Sequence, residues 1–409
     1  MIREIAADVV IVLSLFGIAV GKFPFLRMNR AAFAFSGAVA LILIGALPVK
    51  EAFAAVDLGA LSLILAMMIV AANLRVSGFF AWASERALAL ARTPKSLLAS
   101  IIVISGALSA LFLNDTMCLV LTPLVAELSL SSKRDPIPYL IGVATAANVG
   151  SCATIIGNPQ NMLIGAASGI SFGTFFLNLA VPSAIGLLIC WGFIVLAFPG
   201  EFRRGERLPA GAKVSAVAEK PTLQRKSLAA VALMLIALAV GLPTTLAALA
   251  AAAFLLVSRR TESERIFAEV DFSLLVFFAG LFIITRAIEA TELFGRLSRA
   301  VLPYAARSEP IFSGVSVILS NLVSNVPAVM LLRPMIPWFA KPEKAWLLLA
   351  LSSTFAGNLT LLGSVANLIV AEGANRRGIH LSFGKYLKVG IPVTVTTTAI
   401  GTVWLAWIG

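Results

Sequence analysis

Residues 148–161 have the sequence Asn-Val-Gly-Ser-Cys-Ala-Thr-Ile-Ile-Gly-Asn-Pro-Gln-Asn, and they interrupt an apolar segment that extends from 137 to 170. The segment is long and apolar enough for a membrane span, but it contains two glycines and a proline among amide and hydroxyl side chains. Irregular backbone at membrane depth is tolerated only where it is buried in protein or faces a cavity. The stretch therefore predicts a broken membrane helix whose second part begins near Pro159, with its N-terminus toward the membrane centre.

The composition of the whole chain is that of a membrane protein. Of its 409 residues, 59% are hydrophobic and 13% are charged, whereas a soluble protein carries about 25% charged residues. A bilayer can solvate this much apolar surface. The long apolar runs favour helices over a barrel, because each helix satisfies its own backbone hydrogen bonds. We therefore predict an all-α polytopic membrane protein.

The net charge of +12 is distributed in a way that argues against nucleic-acid binding. The basic residues occur in short runs between apolar segments, as in the loops of membrane proteins. One histidine and three cysteines without metal-ligand spacing predict no structural metal, and no cofactor beyond a coupling ion, Na⁺ or H⁺. No metalloprotease motif is present, and no enzyme activity is predicted.

Ten predicted membrane spans account for most of the apolar residues. Two further stretches are too long for single spans and carry polar residues and prolines at their centres. Each of these is predicted to be a re-entrant helical hairpin, which enters the membrane and returns on the same side. The spans lie near 5–21, 31–48, 57–74, 137–170 (interrupted), 174–198, 228–242, 244–257, 271–289, 344–373 (interrupted) and 389–408, and the hairpins at 96–130 and 309–340.

The two halves of the chain share four polar landmarks in the same order. Because each half contains five spans, the second copy is inverted relative to the first, as in many secondary transporters. We predict a first inverted repeat at 1–198, a basic cytoplasmic linker at 199–227 and a second repeat at 228–409. The landmarks are Val56-Asp57-Leu58 with Val270-Asp271-Phe272, Asn114–Pro123 with Asn325–Pro334, Gly157–Asn161 with Gly363–Asn367, and Ser171-Phe172-Gly173 with Ser382-Phe383-Gly384.

The distribution of basic residues predicts the orientation. With ten spans and two hairpins, the loops that follow the first span, the third span and the first hairpin lie on the same side as the basic linker. The side richer in lysine and arginine is expected to be cytoplasmic. We therefore predict a multi-pass inner-membrane protein with both termini external.

Neutral polar residues at the hairpin tips and helix breaks form the predicted substrate or ion site. Such side chains, with carbonyls freed at a break, can hold a small cation or the polar end of a solute. Close helix packing is the alternative explanation, but breaks at matching places in both halves favour binding. The predicted site residues are Asn114, Asp115, Thr116, Asn148, Ser151, Thr154, Asn158, Asn161, Ser324, Asn325, Thr354, Asn358, Thr360, Ser364 and Asn367, with a possible Na⁺ near Asn114, Asp115, Gly150 and Asn158.

Asp115 is an ionisable residue at a predicted hairpin tip, and its second-half counterpart, Val326, is apolar. A carboxylate at membrane depth is costly unless it is paired, protonated or beside a cation. Asp115 is therefore predicted to be a coupling group. The alternative is a helix cap that accepts hydrogen bonds from nearby backbone N–H groups.

Three features together resemble the ion transporter superfamily: Asn114-Asp115-Thr116, an apolar arm ending in Leu-Thr-Pro, and the run 148–161. This superfamily contains arsenite permeases, sodium/proton antiporters and sodium-coupled citrate and succinate carriers. The resemblance covers most of the chain from about residue 56 onward. It implies two hairpins, two broken helices, elevator-type alternating access and often a homodimer, with Asn114, Thr116, Ser324 and Asn325 at the hairpin tips.

The resemblance is closest to the arsenite-permease-like anion permease branch. Where the dicarboxylate carriers have paired Ser-Asn-Thr signatures, this chain has Asn-Asp-Thr and Ser-Asn-Val. The predicted function is secondary active transport of a small anion or a metalloid, such as arsenite, antimonite or another oxyanion, coupled to H⁺ or Na⁺. The alternatives are a Na⁺/H⁺ antiporter and a Na⁺-coupled di- or tricarboxylate symporter. The expected partners are the solute or ion, the lipid bilayer and, as the resemblance implies, a second copy of the chain, without nucleic acid.

Overall fold

The computed structural model describes residues 2–20, 28–88, 91–202, 221–257, 262–292, 295, 299 and 303–408, and its regular elements within these ranges are all helices. The first half contains α1 (Ile2–Val20), α2 (Arg30–Leu43), α3 (Val49–Ala55), α4 (Leu58–Val76), α5 (Phe79–Leu88), α6 (Pro94–Leu111), α7 (Asn114–Ser131), α8 (Pro136–Ser151), α9 (Pro159–Ser168), α10 (Phe172–Ala197) and α11 (Pro199–Phe202). The second half contains α12 (Pro221–Ala239), α13 (Thr244–Leu256), α14 (Ser263–Phe267), α15 (Phe272–Glu289), α16 (Glu309–Val323), α17 (Asn325–Leu332), a 3-10 helix (Arg333–Trp338), α18 (Pro342–Ala356), α19 (Val365–Asn375) and α20 (Phe383–Ile408).

The predicted polytopic membrane fold is confirmed. Six of the described helices, α4, α6, α10, α12, α15 and α20, are long and apolar enough to cross a membrane, and α2, α13 and α16 are shorter apolar helices. Large apolar side chains such as Leu177, Leu188 and Leu196 of α10 are exposed. Since water would disfavour these surfaces, they are the surfaces that contact lipid.

Capping residues determine where several of these helices begin. Asp57 Oδ1 accepts from Ala60 N at 2.9 Å at the start of α4, and Asp271 Oδ1 accepts from Ser273 N at 3.0 Å at the start of α15. The two aspartates are matched landmarks of the two halves, and each satisfies a backbone N–H that a helix leaves unpaired. Their shared role is therefore structural.

Each half packs one of its helices against a helix of the other half. α2 of the first half packs on α15 of the second, and α13 of the second half packs on α4 of the first. α4 and α15 are counterparts, since each begins after a matched aspartate. An exchange of this kind follows from a two-fold relation between inverted repeats.

The two re-entrant hairpins are also present. Hairpin 1 consists of α6 and α7, and hairpin 2 consists of α16, α17 and the 3-10 helix. The returning arm of hairpin 2 is an α-helix only as far as Leu332. Pro334 and Pro337 lack the N–H groups that a longer α-helix needs, which accounts for the 3-10 helix.

Several helix limits in the structure differ from the predicted span limits. The predicted span 31–48 ends earlier, at Leu43, because Gly45 adopts a positive φ of 71°, and the short α3 follows. The first helix of the second half begins at Pro221, before the predicted residue 228. Most of the predicted linker, residues 203–220, lies outside the described residues, so the repeat limits remain predictions.

The inverted arrangement predicts that the ends of the two hairpins lie on opposite membrane faces. Ser131→Cys, at the end of hairpin 1, and Glu343→Cys, just after hairpin 2, should react with a membrane-impermeant maleimide from opposite sides. Both positions are exposed, whereas the native Cys118, Cys152 and Cys190 are buried and provide a low background. Labelling of both new cysteines from one side would contradict the inverted repeat.

Candidate functional site

Two breaks in the helices form the centre of the molecule. Break 1 (Cys152–Asn158) separates α8 from α9, and break 2 (Gly357–Ser364) separates α18 from α19. Hairpin 1 meets break 1 directly, because Asn114 N donates to Gly157 O at 3.0 Å. Hairpin 2 meets break 2, where a Cβ at Gly357 would lie 3.1 Å from Asn325 Nδ2. Four helix N-termini, those of α7, α9, α17 and α19, thus belong to the same region.

Each break is held by one asparagine of the helix that follows it. Asn161 Nδ2 donates to Ser151 O at 3.2 Å and to Thr154 O at 3.0 Å. At an offset of 206 residues, Asn367 Nδ2 donates to Gly357 O at 2.7 Å and to Thr360 O at 3.1 Å. These bonds satisfy carbonyls that the interrupted helices cannot pair themselves, and an unpaired carbonyl at membrane depth is costly.

The same offset relates the contacts between the halves. Asn148 Nδ2 donates to Asn367 Oδ1 at 3.0 Å, and Asn148 Oδ1 accepts from Ser364 Oγ at 3.1 Å. In the reciprocal place, Thr354 Oγ1 lies 3.4 Å from Asn161 Oδ1 and 3.4 Å from Asn158 Nδ2. Asn148 and Thr354 therefore each connect one half to the break of the other. We call the buried residues Asn114, Asn148, Asn158, Asn161, Thr354, Asn358, Ser364 and Asn367 the polar centre.

The hydrogen bonds determine which way the amide of Asn114 points. Because Asn367 Nδ2 faces two carbonyls, its Oδ1 must accept, and Asn148 must present its Nδ2 to it. Asn358 requires the same orientation of Asn148. Its own Nδ2 donates to Thr145 O at 3.2 Å, so its Oδ1 is the acceptor for Asn148 Nδ2. Asn148 Oδ1 is left to accept from Asn114 Nδ2 at 3.2 Å. Asn114 Oδ1 is thereby left as a buried acceptor.

Unpaired buried oxygens occur at matching positions in both hairpins. Within the described part of the chain, Asn114 Oδ1 and Asn325 Oδ1 have no hydrogen-bond partner, and the two residues are related by an offset of 211. The hydroxyls of Ser105 and Ser109 in α6, and of Ser316 and Ser320 in α16, are unpaired too and show the same offset. Other buried helical serines, such as Ser129 and Ser352, donate to carbonyls of their own helix. Each hairpin therefore presents three unpaired oxygen atoms.

The predicted threonines at the breaks connect each break to its own hairpin. Thr154 Oγ1 donates to Ala110 O of hairpin 1, and Thr360 Oγ1 donates to Asn321 Oδ1 of hairpin 2 at 3.3 Å. Ser151 Oγ accepts from Asn158 Nδ2 at 2.9 Å, and Asn158 Oδ1 caps α9 by accepting from Asn161 N at 2.8 Å. These side chains shape the breaks and present fewer free atoms to a ligand than the hairpin asparagines do.

Gly150 has a packing role. A Cβ there would lie 2.2 Å from Gly106 O, so the residue permits close contact between α8 and α6. Among the described residues, no three or more His, Cys, Asp or Glu side chains are grouped in a way that suits a metal ion. The predicted Na⁺ near Asn114, Asp115, Gly150 and Asn158 stays a prediction.

Asp115 and Thr116 lie at the start of α7, both partly buried. The charges that act on the Asp115 carboxylate are Arg30, at the beginning of α2, and Asp271, the cap of α15. α2 and α15 pack on each other. Arg30 is therefore near enough for its charge to act on the Asp115 carboxylate, and the sequence analysis did not connect the two residues.

Ser324 is the strained residue of the two hairpin tips. Its backbone adopts φ 78° and ψ 159°, a region occupied almost entirely by glycine, whereas Leu113 in hairpin 1 has φ −54°. The strain places Asn325 at the first position of α17, where its Oδ1 lies without a partner. The two hairpins thus differ in backbone geometry although Asn114 and Asn325 occupy matching positions.

Several residues of the site were missing from the sequence prediction. Gln160 Nε2 donates to Thr354 Oγ1 at 3.3 Å. The serines of the first hairpin arms were also missed, although the 211-residue offset applied to Ser105 and Ser109 identifies Ser316 and Ser320. Gly169–Gly173 matches the Gly-x-Ser-x-Gly pattern of hydrolases, but Ser171 caps α10 by accepting from Thr174 N at 3.0 Å.

The protein is helical, its two halves pack on each other reciprocally, and paired hairpins and paired breaks surround one polar centre. This arrangement defines a membrane transporter of the ion transporter superfamily. The chain belongs to the CitMHS family, described as Citrate transporter, which matches residues 11–346. The resemblance to the superfamily is thereby confirmed. Transporters of this family carry ions or small molecules across the lipid bilayer.

Relatives of known name match over nearly the whole chain. The chain is 32% identical to "Silicon efflux transporter LSI3" of Oryza sativa subsp. japonica, over 92% of each chain. It is 25% identical to "Putative transporter arsB" of Dictyostelium discoideum, over 94% of this chain and 88% of the relative. The Alcanivorax borkumensis YdaH transporter has a similar fold, with a TM-score of 0.57, 15% identity and coverage of 100% of this chain and 98% of that one.

The cross-half contacts of Asn148 predict a large effect on stability. Asn148→Ala leaves the oxygens of Asn358 and Asn367 and the amide of Asn114 without their shared partner. The free energy of unfolding should fall by about 2 kcal/mol, measured as a lower melting temperature of the purified protein. Ser129→Ala is the control, since its hydroxyl contacts only Val125 O of its own helix. An equal loss in both variants would show that Asn148 has no special role.

Proposed function

We propose that the protein is a secondary active transporter of a small, neutral metalloid hydroxide, such as the uncharged form of arsenite. Transport crosses the inner membrane, is coupled to H⁺ or Na⁺, and uses an elevator movement. The observation that supports the proposal is the pair of buried, unpaired acceptors, Asn114 Oδ1 and Asn325 Oδ1.

The chemistry of these oxygens selects the kind of solute. A buried acceptor without a partner costs about 1–3 kcal/mol, which a ligand that donates hydrogen bonds would recover. Neutral metalloid hydroxides carry only O–H groups around the central atom, and each can donate. A carboxylate offers acceptors alone and would be repelled by an amide oxygen.

The magnitude of desolvation favours the same solute. The polar centre contains amides and hydroxyls but no arginine or lysine. Burial of an ion without a counter-charge costs several kcal/mol for each charge, and citrate would bring up to three. A neutral hydroxide avoids this cost. The names of two relatives, a silicon efflux transporter and a putative arsB transporter, agree with this class.

Citrate and other carboxylates form the second candidate class. The observation in their favour is the set of four helix N-termini at the centre, each equivalent to about +0.5 charge. The description of the family also names citrate. A Na⁺/H⁺ antiporter is a third possibility, in which the serine hydroxyls and asparagine oxygens of the hairpins would coordinate Na⁺ as neutral ligands.

The packing of the helices indicates which parts would move. Hairpin 1 contacts α8 and α19, and hairpin 2 contacts α9 and α18, so both hairpins and both broken helices are joined through the polar centre. The pairs α2–α15 and α4–α13 form the exchanged contacts between halves. In the proposed elevator the first group moves past the second. The proposal also includes a cytoplasmic location for the basic loops and a homodimeric scaffold.

Direct flux measurements separate the candidate solutes. Proteoliposomes that contain the full-length protein should accumulate arsenite or germanic acid, a hydroxide analogue of silicic acid, when a proton or sodium gradient is imposed. Citrate should not accumulate under the same gradient. Asn114→Leu should abolish the flux, since it removes the acceptor, while Ser129→Ala should retain it. Citrate flux without hydroxide flux would overturn the proposal and establish the carboxylate class.

Asp115 is the proposed coupling group. Asp115→Asn retains the shape and one oxygen but cannot release a proton or balance the charge of Arg30. The variant should fold and exchange solute between two loaded compartments, yet lose accumulation driven by the ion gradient. Gradient-driven uptake equal to that of the parent, with the same dependence on pH and Na⁺, would show that Asp115 is a helix cap.

A further inference from the structure

A cavity of about 340 Å³ lies between hairpin 2 and the end of α15, away from the polar centre. Phe282, Thr285, Arg286 and Glu289 of α15 form one wall, and Met330 and Arg333 of hairpin 2 form the other. Glu51, Ala54 and Ala55 of α3 complete the lining. The cavity therefore joins a helix of the exchanged scaffold to the returning arm of a hairpin.

The charges that line the cavity are unequally paired. Arg286 lies 3.6 Å from Glu51 and 3.1 Å from Glu289, so both carboxylates share one guanidinium. Arg333 forms no ion pair with any residue in the described ranges. Thr285 is 4% exposed, and its hydroxyl has no hydrogen-bond partner in the same ranges. Arg333 thus lines the cavity without an ion-pair partner in the described ranges, and the unpaired Thr285 hydroxyl is buried in the wall of the same cavity.

The comparison of the two halves shows that the fold does not require these groups. The offset of 214 residues from Asp57 to Asp271 places Ala71 and Ala72 at the positions of Thr285 and Arg286. The offset of 211 residues places Thr122 at the position of Arg333, and the Thr122 hydroxyl donates to Cys118 O of its own helix at 2.6 Å. The first half builds the same helices with alanine and threonine there. The charged cavity is therefore a feature added to one half.

The chemistry of the unpaired groups specifies the ligand. A guanidinium can donate two parallel hydrogen bonds to a carboxylate or phosphate-type oxyanion, and a hydroxyl can donate a third. Glu51 and Glu289 do not oppose such a ligand strongly, because Arg286 neutralises part of their charge. A neutral metalloid hydroxide would gain little from Arg333, so the cavity suits a different class of ligand from the polar centre.

We propose that Arg333 and Thr285 form a binding site for a small oxyanion or carboxylate between hairpin 2 and α15. In the elevator movement proposed above, on which this consequence rests, such an anion would connect hairpin 2 to α15. Its source is either a free anion or the phosphate of a lipid headgroup at the membrane surface. The site stands independently of the solute carried at the polar centre.

Calorimetric titration of the full-length protein with inorganic phosphate tests the site. In nanodiscs of neutral phosphatidylcholine, phosphate should bind saturably. Arg333→Gln should weaken binding about ten-fold or more, and Thr285→Val about three-fold. Arg333→Lys should fall between the parent and Arg333→Gln, because it keeps the charge but not the fork of donors. Arg307→Gln, at an exposed arginine outside the cavity, should bind as the parent does.

Three further results complete the test. If Arg333→Gln fails to fold, as judged by its melting temperature and elution, Arg333→Lys alone must still weaken binding. Anionic phosphatidylglycerol in the nanodisc should suppress phosphate binding if the natural occupant is a headgroup, and leave it unchanged if the occupant is a free anion. No saturable binding in neutral nanodiscs, or equal binding by Arg333→Gln, overturns the site. Loss of binding in Asn148→Ala alone would place the anion at the polar centre and also overturn it.

Discussion

The structure depends on one constraint, which is that the backbone of two interrupted helices must be satisfied at membrane depth. Asn161 and Asn367 meet it by donating to the carbonyls that each break leaves unpaired. Once these two amides are fixed, their oxygens become acceptors that face the other half. Asn148 and Thr354 supply the donors. The interaction that permits the helices to break is thus also the one that joins the two repeats.

This constraint also determines what the centre offers to a solute. The orientation of Asn148 follows from Asn367 and Asn358, and it leaves the Asn114 oxygen as a buried acceptor without a partner. Asn325, with its own unpaired oxygen, occupies the equivalent place in hairpin 2, although the strained Ser324 positions it differently. The proposal that the solute is neutral and donates hydrogen bonds rests on these two unpaired acceptors. The two halves depart from symmetry at Asp115, at Ser324 and at the cavity beside Arg333.

Much of the architecture could be predicted from the sequence because it is encoded in local, repeated signals. Apolar length predicted the spans, and matched Asp, Asn, Gly and Pro residues predicted the hairpins and breaks. Two helix limits were missed. The end of α2 depends on Gly45 in the left-handed conformation, and the first turns of α12 are polar and therefore lack an apolar signal. The contacts of Asn148 with Asn367 and of Gln160 with Thr354 could not be predicted, since they join residues about 200 positions apart. Arg30 was missed for the same reason, because only the fold places it near Asp115.

The central claim is that Asn148 and Asn367 act together across the two halves. A double-mutant cycle on melting free energies, with Asn148→Ala, Asn367→Ala and the combined variant, measures their interaction directly. The account predicts a coupling energy of about 1 kcal/mol or more, with the double variant little worse than the more damaging single one. Strictly additive losses would contradict it, because they would mean that each asparagine serves only its own half.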